Sequence, residues 1–371
     1  MTRYGRLSAF ALWLALGTAL AQSAADLREW PKTDFTRRTV ELAEIQSGGP
    51  PKDGIPAIDR PRFVGARAAR AWLRPEEPVI VVRAGREARA YPLQILMFHE
   101  IVNDELAGRP LAVTFCPLCN ASLVFERRIG DRVLDFGTTG RLRLSDLVMY
   151  DRQTESWWQQ FTGTGIIGHY AGTRLPRVPS EIVSFADFSA AHPLGLVLSR
   201  ETGHARPYGR NPYVGYDDIR QSPFLLSSSP DPRLPPMERV LSVSAGGRHR
   251  LYPLSLLEKH AVVNRTLAGI DYVIFVKPGM ASPLDHGDIA QGRPIPAATA
   301  FDRRVEGRPL EFVHREGRFF DARSGTEWNI LGEAVAGPLK GRRLAPLDSG
   351  VHFAFAWLAF IPDSEIVRAL P

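Results

Sequence analysis

Cysteine is scarce in this sequence, and its scarcity excludes a fold that depends on cross-links. The 371 residues include 2 Cys, which stand three positions apart at Cys116 and Cys119. A protein stapled by disulfides usually carries several spaced pairs. Burial of apolar surface must therefore stabilise the fold, and the chain is long enough for two cores or one large one.

Long apolar runs and clustered charge are also missing. Beyond the N-terminus, no segment has the roughly 20 apolar residues that a membrane-spanning helix needs. The net charge is +6, but acidic and basic residues are interspersed without a long basic run. Nucleic-acid binding usually needs a clustered basic patch. We therefore expect no nucleic-acid partner and no membrane span in the mature chain, and the sequence leaves the actual partner unknown.

The first 21 residues have the pattern of a signal peptide. Arg3 and Arg6 give a basic start, residues 7–20 are apolar, and Ala19-Leu20-Ala21 supplies the small residues of a cleavage site. An uncleaved hydrophobic anchor is the alternative. We expect an exported protein, periplasmic or extracellular.

The sequence also resembles itself. The run Arg89-Ala90-Tyr91-Pro92-Leu93 recurs 161 positions later as Arg250-Leu251-Tyr252-Pro253-Leu254. Phe125-Glu126-Arg127-Arg128 recurs as Phe301-Asp302-Arg303-Arg304, and two further clusters follow in the same order. Four matched clusters in one order indicate an internal duplication.

The duplication divides the chain and isolates the thiols. After the signal peptide (1–21), the predicted units are a Gly/Pro-rich N-terminal extension (22–74), a first copy (75–206), a Pro/Ser-rich linker (207–238) and a second copy (239–371). Cys116 and Cys119 fall opposite Lys277 and Met280, so the second copy lacks the thiols. The second copy is also shorter opposite residues 138–149, which we interpret as a loop.

Short β-rich runs separated by turn residues predict a mainly β fold, a β-rich α+β class with two pseudo-symmetric, strand-dominated lobes. In the first copy we expect strands at 78–83, 88–91, 111–115, 157–161 and 166–170. Residues 122–128 and 132–136 suit a hairpin around Gly130-Asp131. A short helix over 93–103 and one helical turn over 187–192 complete the prediction.

The Cys-Pro-Leu-Cys motif (116–119) allows three interpretations. Two thiols at this spacing form a redox pair, chelate a soft metal ion such as copper or zinc, or close a small structural disulfide. A thioredoxin fold would place a helix directly after the motif, whereas a predicted hairpin follows here. The sequence leaves the three interpretations open, and with them the question of enzymatic activity.

A metal site needs further ligands, and the sequence offers three candidates. They are His99, on the predicted helix before the strand, and Asp146 and Met149, in the loop 138–149 that is shortened in the second copy. His99 has a counterpart in His260, where no thiol exists, which favours a packing or hydrogen-bonding role. Met149 follows Leu147 and Val148, which favours the core. A His, two Cys and a Met would suit copper.

A ligand-binding module is a further alternative, with a cleft between the lobes and a structural disulfide. Asp146, Asp151 and Arg152 would then line its rim. Asp151 and Arg152, with Glu155 and Trp158, are also candidates for a polar cluster. Asp321 and Trp328 echo this cluster in the second copy, which favours a scaffold role. Asp53 and Asp59 in the Gly/Pro-rich run 47–59 suit turns.

Four separated motifs resemble one family. SGGPPKDGIPAID (47–59), FHEIVND (98–104), VTFCPLC (113–119) and SDLVMYDRQTESWW (145–158) are similar to the bacterial and archaeal proteins grouped as domain of unknown function 3179. Asn120 stands where the family usually has Gly, and Phe98 where it often has Trp. The resemblance implies an exported or surface-associated protein with a CPLC motif, and it implies no substrate or cofactor.

Overall fold

The computed structural model describes residues 28–370, so the predicted signal peptide lies outside the described residues. Strands dominate this part of the chain and the helices are short, which confirms the predicted mainly β class. Among the helices of residues 28–370, none combines the length and apolar character that a membrane crossing requires.

The N-terminal extension supplies two strands, one helix and one 3-10 helix. Its elements are the 3-10 helix Leu42–Glu44, the strands Ile45–Ser47 and Phe63–Gly65, and the helix Ala66–Ala69.

The first copy consists of short strands with two helices and one 3-10 turn. The strands are Pro78–Ala84, Glu87–Pro92, Ile101–Leu106, Arg109–Cys116, Ala121–Glu126, Arg128–Ile129, Arg132–Val133, Phe136–Arg143, Asp146–Asp151, Trp157–Gln159, Thr164–Ile167, Arg177–Val178, Ser180–Ser184 and Leu196–Leu198. The helical elements are Leu93–Leu96, Pro117–Cys119 (3-10) and Phe185–Ala191.

The second copy follows the same order of elements. Its strands are Arg239–Ala245, Arg248–Pro253, Val262–Leu267, Ile270–Ala281, Pro294–Asp302, Arg304–Val305, Arg308–Pro309, Phe312–Arg315, Arg318–Asp321, Glu327–Trp328, Ala334–Ala336, Ala345–Pro346, Asp348–Phe353 and Glu365–Ile366. The helical elements are Leu254–Leu257, Ile289–Gln291 (3-10) and Ala354–Phe360.

Matching segments also pair in the same strand order. The strands that begin at 180, 78, 87 and 196 are neighbours in one sheet, and those that begin at 348, 239, 248 and 365 are neighbours in another. The order 177, 121, 109, 101 in the first copy likewise corresponds to 345, 294, 270, 262 in the second. The predicted residue boundaries of the copies remain a prediction.

Each copy sends its longer helix into the core of the other. Phe185 and Phe188 of the first copy share a core with Leu331 of the second. Conversely, Trp357 of the second copy contacts Phe161 of the first, with 5.9 Å between ring centroids. The two copies therefore share their cores.

Two local predictions are wrong. The helix expected over 93–103 ends at Leu96, because the chain turns at Glu100, whose φ is +57°, and Ile101–Leu106 then pairs as a strand. The stretch 138–149, interpreted as a loop, lies mostly in two paired strands that meet at a tight corner. At that corner Leu144 and Ser145 have φ of 53° and 66°.

Candidate metal centre

The two cysteines lie at the two ends of one tight turn. Cys116 ends the strand Arg109–Cys116, Pro117–Cys119 forms a 3-10 turn, and Asn120 takes the left-handed conformation with φ +48°. The next strand then pairs antiparallel with the first, with Cys116 opposite Ala121. A strand thus follows the motif, where a thioredoxin-like site would have a helix.

Asp146 completes a cluster with the two thiols. The Sγ atoms of Cys116 and Cys119 and a carboxylate oxygen of Asp146 all lie within 4.8 Å of one another, and all three residues are buried. Both cysteines are free thiols, so the structure holds no disulfide between them. Sulfur and carboxylate oxygen are ligands that Zn²⁺ takes, and Cu(I) favours the thiolates.

Asp146 is held through one of its two oxygens. Its Oδ2 accepts hydrogen bonds from Gln159 Nε2 at 2.6 Å and from the Phe161 backbone N–H at 2.9 Å. Its Oδ1 is buried, and among the described residues only the two thiols approach the carboxyl from that side. A buried polar atom without a partner is uncommon and costly. The fold therefore orients this carboxylate and leaves one oxygen open beside the thiols.

The cluster favours uncharged groups when it is empty of cations. Burial raises the pKa of Asp146 to about 6, against the opposing hydrogen bonds from Gln159 and Phe161. Burial also raises the pKa of the Cys116 thiol, and that of the Cys119 thiol more strongly. A reactive cysteine usually has a lowered pKa and some exposure. These thiols have neither property.

Glu100 is a second buried carboxyl beside the cluster, and sequence reasoning did not single it out. Its side chain is 7% exposed, and no hydrogen bond to its carboxyl occurs within residues 28–370. Burial, reinforced by the charge of Asp146, raises its pKa to about 8. Comparison of the two copies could have identified Glu100, because the residue 161 positions later, in the second copy, is Ala261 and has no carboxyl.

Four of the eleven described non-Gly residues with positive φ lie around the thiols. Glu100, Asn120, Leu144 and Ser145 are all non-Gly residues with positive φ. Glu100 O accepts the backbone N–H of Phe115 at 2.8 Å, and Ser145 O accepts the Cys119 thiol at 3.5 Å, so the strained residues contact this corner directly. Such conformations cost free energy and cluster at functional sites.

A cavity of about 280 Å³ adjoins the cluster. Its walls are mostly apolar, and Glu100, Leu118 and Leu147 bring it next to the thiols and Asp146. Tyr213 and Tyr216 from the linker close another side.

Two of the candidate ligands take other places. His99 lies outside the cluster, because its Nδ1 is 2.7 Å from Pro56 O and its Nε2 is 2.6 Å from the Tyr208 hydroxyl. Burial lowers the pKa of His99 to about 4. Met149 is fully buried in the core, on the strand Asp146–Asp151.

Asp151 and Arg152 form separate contacts. Asp151 is fully buried and accepts hydrogen bonds from Thr154 and from Trp158 Nε1 at 3.0 Å, an arrangement that Asp321 repeats with Ser324 and Trp328. Arg152 binds Asp53 and Asp59, each at 3.2 Å. The prediction that Asp146 and Asp151 line an open rim is wrong, since both side chains are fully buried.

Comparison with known proteins gives one family. No curated protein and no solved structure matches the chain. The model of the family described as "Protein of unknown function (DUF3179)" matches residues 52–364, which include the thiols, Asp146 and both copies. The chain therefore belongs to this family of proteins of unknown function.

Proposed function

We propose that this protein binds a soft or borderline metal ion, copper or zinc, through the thiolates of Cys116 and Cys119 and the carboxylate of Asp146. The observation that carries the proposal is the buried Asp146 carboxylate, whose Oδ1 has no partner among the described residues other than the two free thiols beside it. A cation there would satisfy that oxygen and compensate the buried charge. The role is non-catalytic or in electron transfer.

Charge supports the proposal. Burial disfavours the ionised forms of all three groups, and a nearby cation reverses that balance because it stabilises thiolate and carboxylate together. Metal binding would therefore release protons from the cluster. Three protein ligands leave one position of a tetrahedral zinc ion free, whereas Cu(I) is satisfied by the thiolates with the carboxylate nearby.

Metal analysis of protein purified under reducing conditions tests the proposal. We expect about one copper or zinc ion per chain, and cobalt(II) loading should give thiolate charge-transfer absorption. Asp146→Asn should weaken binding roughly 10-fold or more, since it removes one anionic ligand, and Cys116→Ser/Cys119→Ser should abolish it.

Met149→Leu is the matched control, because it preserves apolar volume on the same strand. It should bind metal as the wild type does. The proposal fails if the reduced wild type holds no metal after loading, or if the double Ser variant binds as well as the wild type.

A second candidate is a thiol–disulfide redox function of the same pair. The proximity of the two sulfur atoms and their free state support it. Their burial and raised pKa speak against a nucleophilic thiol. Thiol titration across a series of redox buffers, without metal, discriminates the two. Reversible oxidation at a defined potential, with no metal affinity, would favour the redox function.

We also propose that the protein is exported, on the basis of the basic, apolar and small-residue pattern in residues 1–21. Cell fractionation with N-terminal sequencing tests this. A mature chain that begins near residue 22 outside the cytoplasm is expected, and a cytoplasmic chain with an intact N-terminus would contradict export.

A further inference from the structure

We propose that the cavity beside the thiols binds a small, uncharged, largely aromatic molecule that carries one hydroxyl group. The site is defined by its apolar walls and by two polar side chains, Glu100 and Tyr213. The inference does not require a metal ion at the neighbouring cluster.

The size and walls of the cavity set the body of the ligand. An engineered apolar cavity of roughly 150 Å³ holds benzene. The volume here is about 280 Å³, which suits two fused rings. Leu118, Leu147 and Ile55 line it together with the rings of Tyr216 and Phe224. Flat apolar ligands pack well against aromatic walls of this kind.

Two polar groups at the cavity have no hydrogen-bond partner among the described residues, and they set the head group of the ligand. Glu100 as a residue is 7% exposed, and burial and the charge of Asp146, without any hydrogen bond from described residues, act on its carboxyl. The Tyr213 hydroxyl lines the same cavity and likewise makes no hydrogen bond to described residues. Burial and the proximity of Glu100 raise the pKa of Tyr213, so the two groups lie within electrostatic range. A hydroxyl both donates and accepts, and one such group can satisfy both side chains.

The surroundings argue against a charged ligand. Asp146 and the two cysteines lie behind Glu100, so an anion would face other acidic groups. Arg141 also lines the cavity, which disfavours a cation. A neutral molecule avoids the cost of moving a net charge into this apolar space.

The cavity is assembled from three separate stretches of chain. Pro50 and Ile55 come from the N-terminal extension, Glu100 from the first copy, and Tyr213 and Phe224 from the linker. Glu100 is strained, and the second copy has Ala261 at its position without positive φ. The carboxyl is therefore a feature of the first copy, and segments outside both copies enclose it. Phe224 is 46% exposed and lies at the edge, where a ligand would enter.

Binding of two probes of equal shape tests the inference. 2-Naphthol carries the hydroxyl, and 2-methylnaphthalene replaces it with a methyl group. We expect the full-length mature protein, in fluorescence titrations with and without metal, to bind 2-naphthol about 10-fold more tightly, because only the hydroxyl satisfies Glu100 and Tyr213. Equal affinity for both probes would overturn the assigned head group, and absence of binding would overturn the site.

Variants measure separately how the cavity walls and the two polar groups contribute to binding. Tyr213→Phe and Glu100→Leu should each reduce the preference for 2-naphthol to a few-fold, while Glu100→Gln, which still donates and accepts, should retain it. Leu142 also lines the cavity, and Leu142→Trp should fill it and abolish binding of both probes without touching the thiols. Unchanged 2-naphthol affinity in Leu142→Trp would place the probe elsewhere and overturn the inference. Metal binding is measured in parallel, so failure of this site is distinguishable from failure of the metal centre.

Discussion

At the scale of single residues, the sequence predicts some members of the site and misses others. Cys116, Cys119 and Asp146 are accessible to sequence reasoning, because the second copy lacks the thiols and is shortened beside Asp146. His99 and Met149 have the chemistry of ligands, but their neighbours in space are a backbone carbonyl, a tyrosine hydroxyl and the core. Glu100 escapes motif reasoning because carboxylates are common, and its isolation from hydrogen-bond partners appears only in three dimensions.

A buried histidine gives a pH prediction at this scale. His352 is fully buried, and neither of its ring nitrogens has a partner within residues 28–370. Burial, with a smaller contribution from Arg177, lowers its pKa to about 3. The folded state thus binds fewer protons than the unfolded state between pH 3 and 6.5. Stability is fully present above pH 6.5 and is lost as the pH falls through this window.

Between pH 7.5 and pH 5, we expect the free energy of unfolding of the wild type to fall by about 2 kcal/mol more than that of His352→Leu. The leucine also places no polar atom next to the rings of Phe161 and Trp357. Urea unfolding at both pH values measures the effect, with the exposed His314→Leu as the control. If wild type and His352→Leu lose stability equally on acidification, the assignment is wrong.

At the scale of elements, the sequence predicts most strands and misplaces their ends. The runs 78–83, 88–91 and 111–115 each lie within an observed strand. The helix predicted over 93–103 fails because helical and extended spacing are indistinguishable in so short an apolar run. Tertiary pairing of Ile101–Leu106 with Arg109–Cys116 decides the outcome.

The helix Phe185–Ala191 offers a test of an element boundary. Ser184 caps it, since its Oγ accepts the backbone N–H of Asp187 at 3.1 Å, and the helix packs into the core of the second copy. Ser184→Ala should lower the free energy of unfolding by about 1 kcal/mol. Ser180→Ala, four positions earlier and less buried, is the control for urea unfolding. A change below a few tenths of a kcal/mol in Ser184→Ala would show that the cap contributes little.

At the scale of the whole molecule, the sequence predicts the duplication but does not predict how the two copies pack. Repeated motifs identify matching segments, but they carry no information about which copy a helix contacts. The structure shows which copy each helix contacts. Phe188 shares a core with the second copy, and Trp357 contacts the first. Arg83 adds one ion pair across the same boundary, to Glu333 at 3.1 Å, and it also pairs with Glu181 of its own copy at 2.7 Å.

We therefore expect that neither copy folds alone. Residues 22–206 and 207–371, expressed separately, should lack a cooperative thermal transition, because each would expose the apolar surface that the other helix covers. Produced together, they should associate and recover one. Circular dichroism and size-exclusion chromatography measure this. A cooperative, monomeric first copy on its own would contradict the prediction.

The exchanged helices also bear on how such a protein changes over time. A second copy without thiols looks dispensable if each copy is a free-standing unit. Here it contributes the helix Ala354–Phe360 to the core that also contains the thiols, so losing it would remove part of the support of the site. One copy is free to accumulate unusual residues such as Glu100, while its twin keeps the framework. In that architecture the first copy carries the site and the second copy supports it, so the protein does not have two equivalent sites.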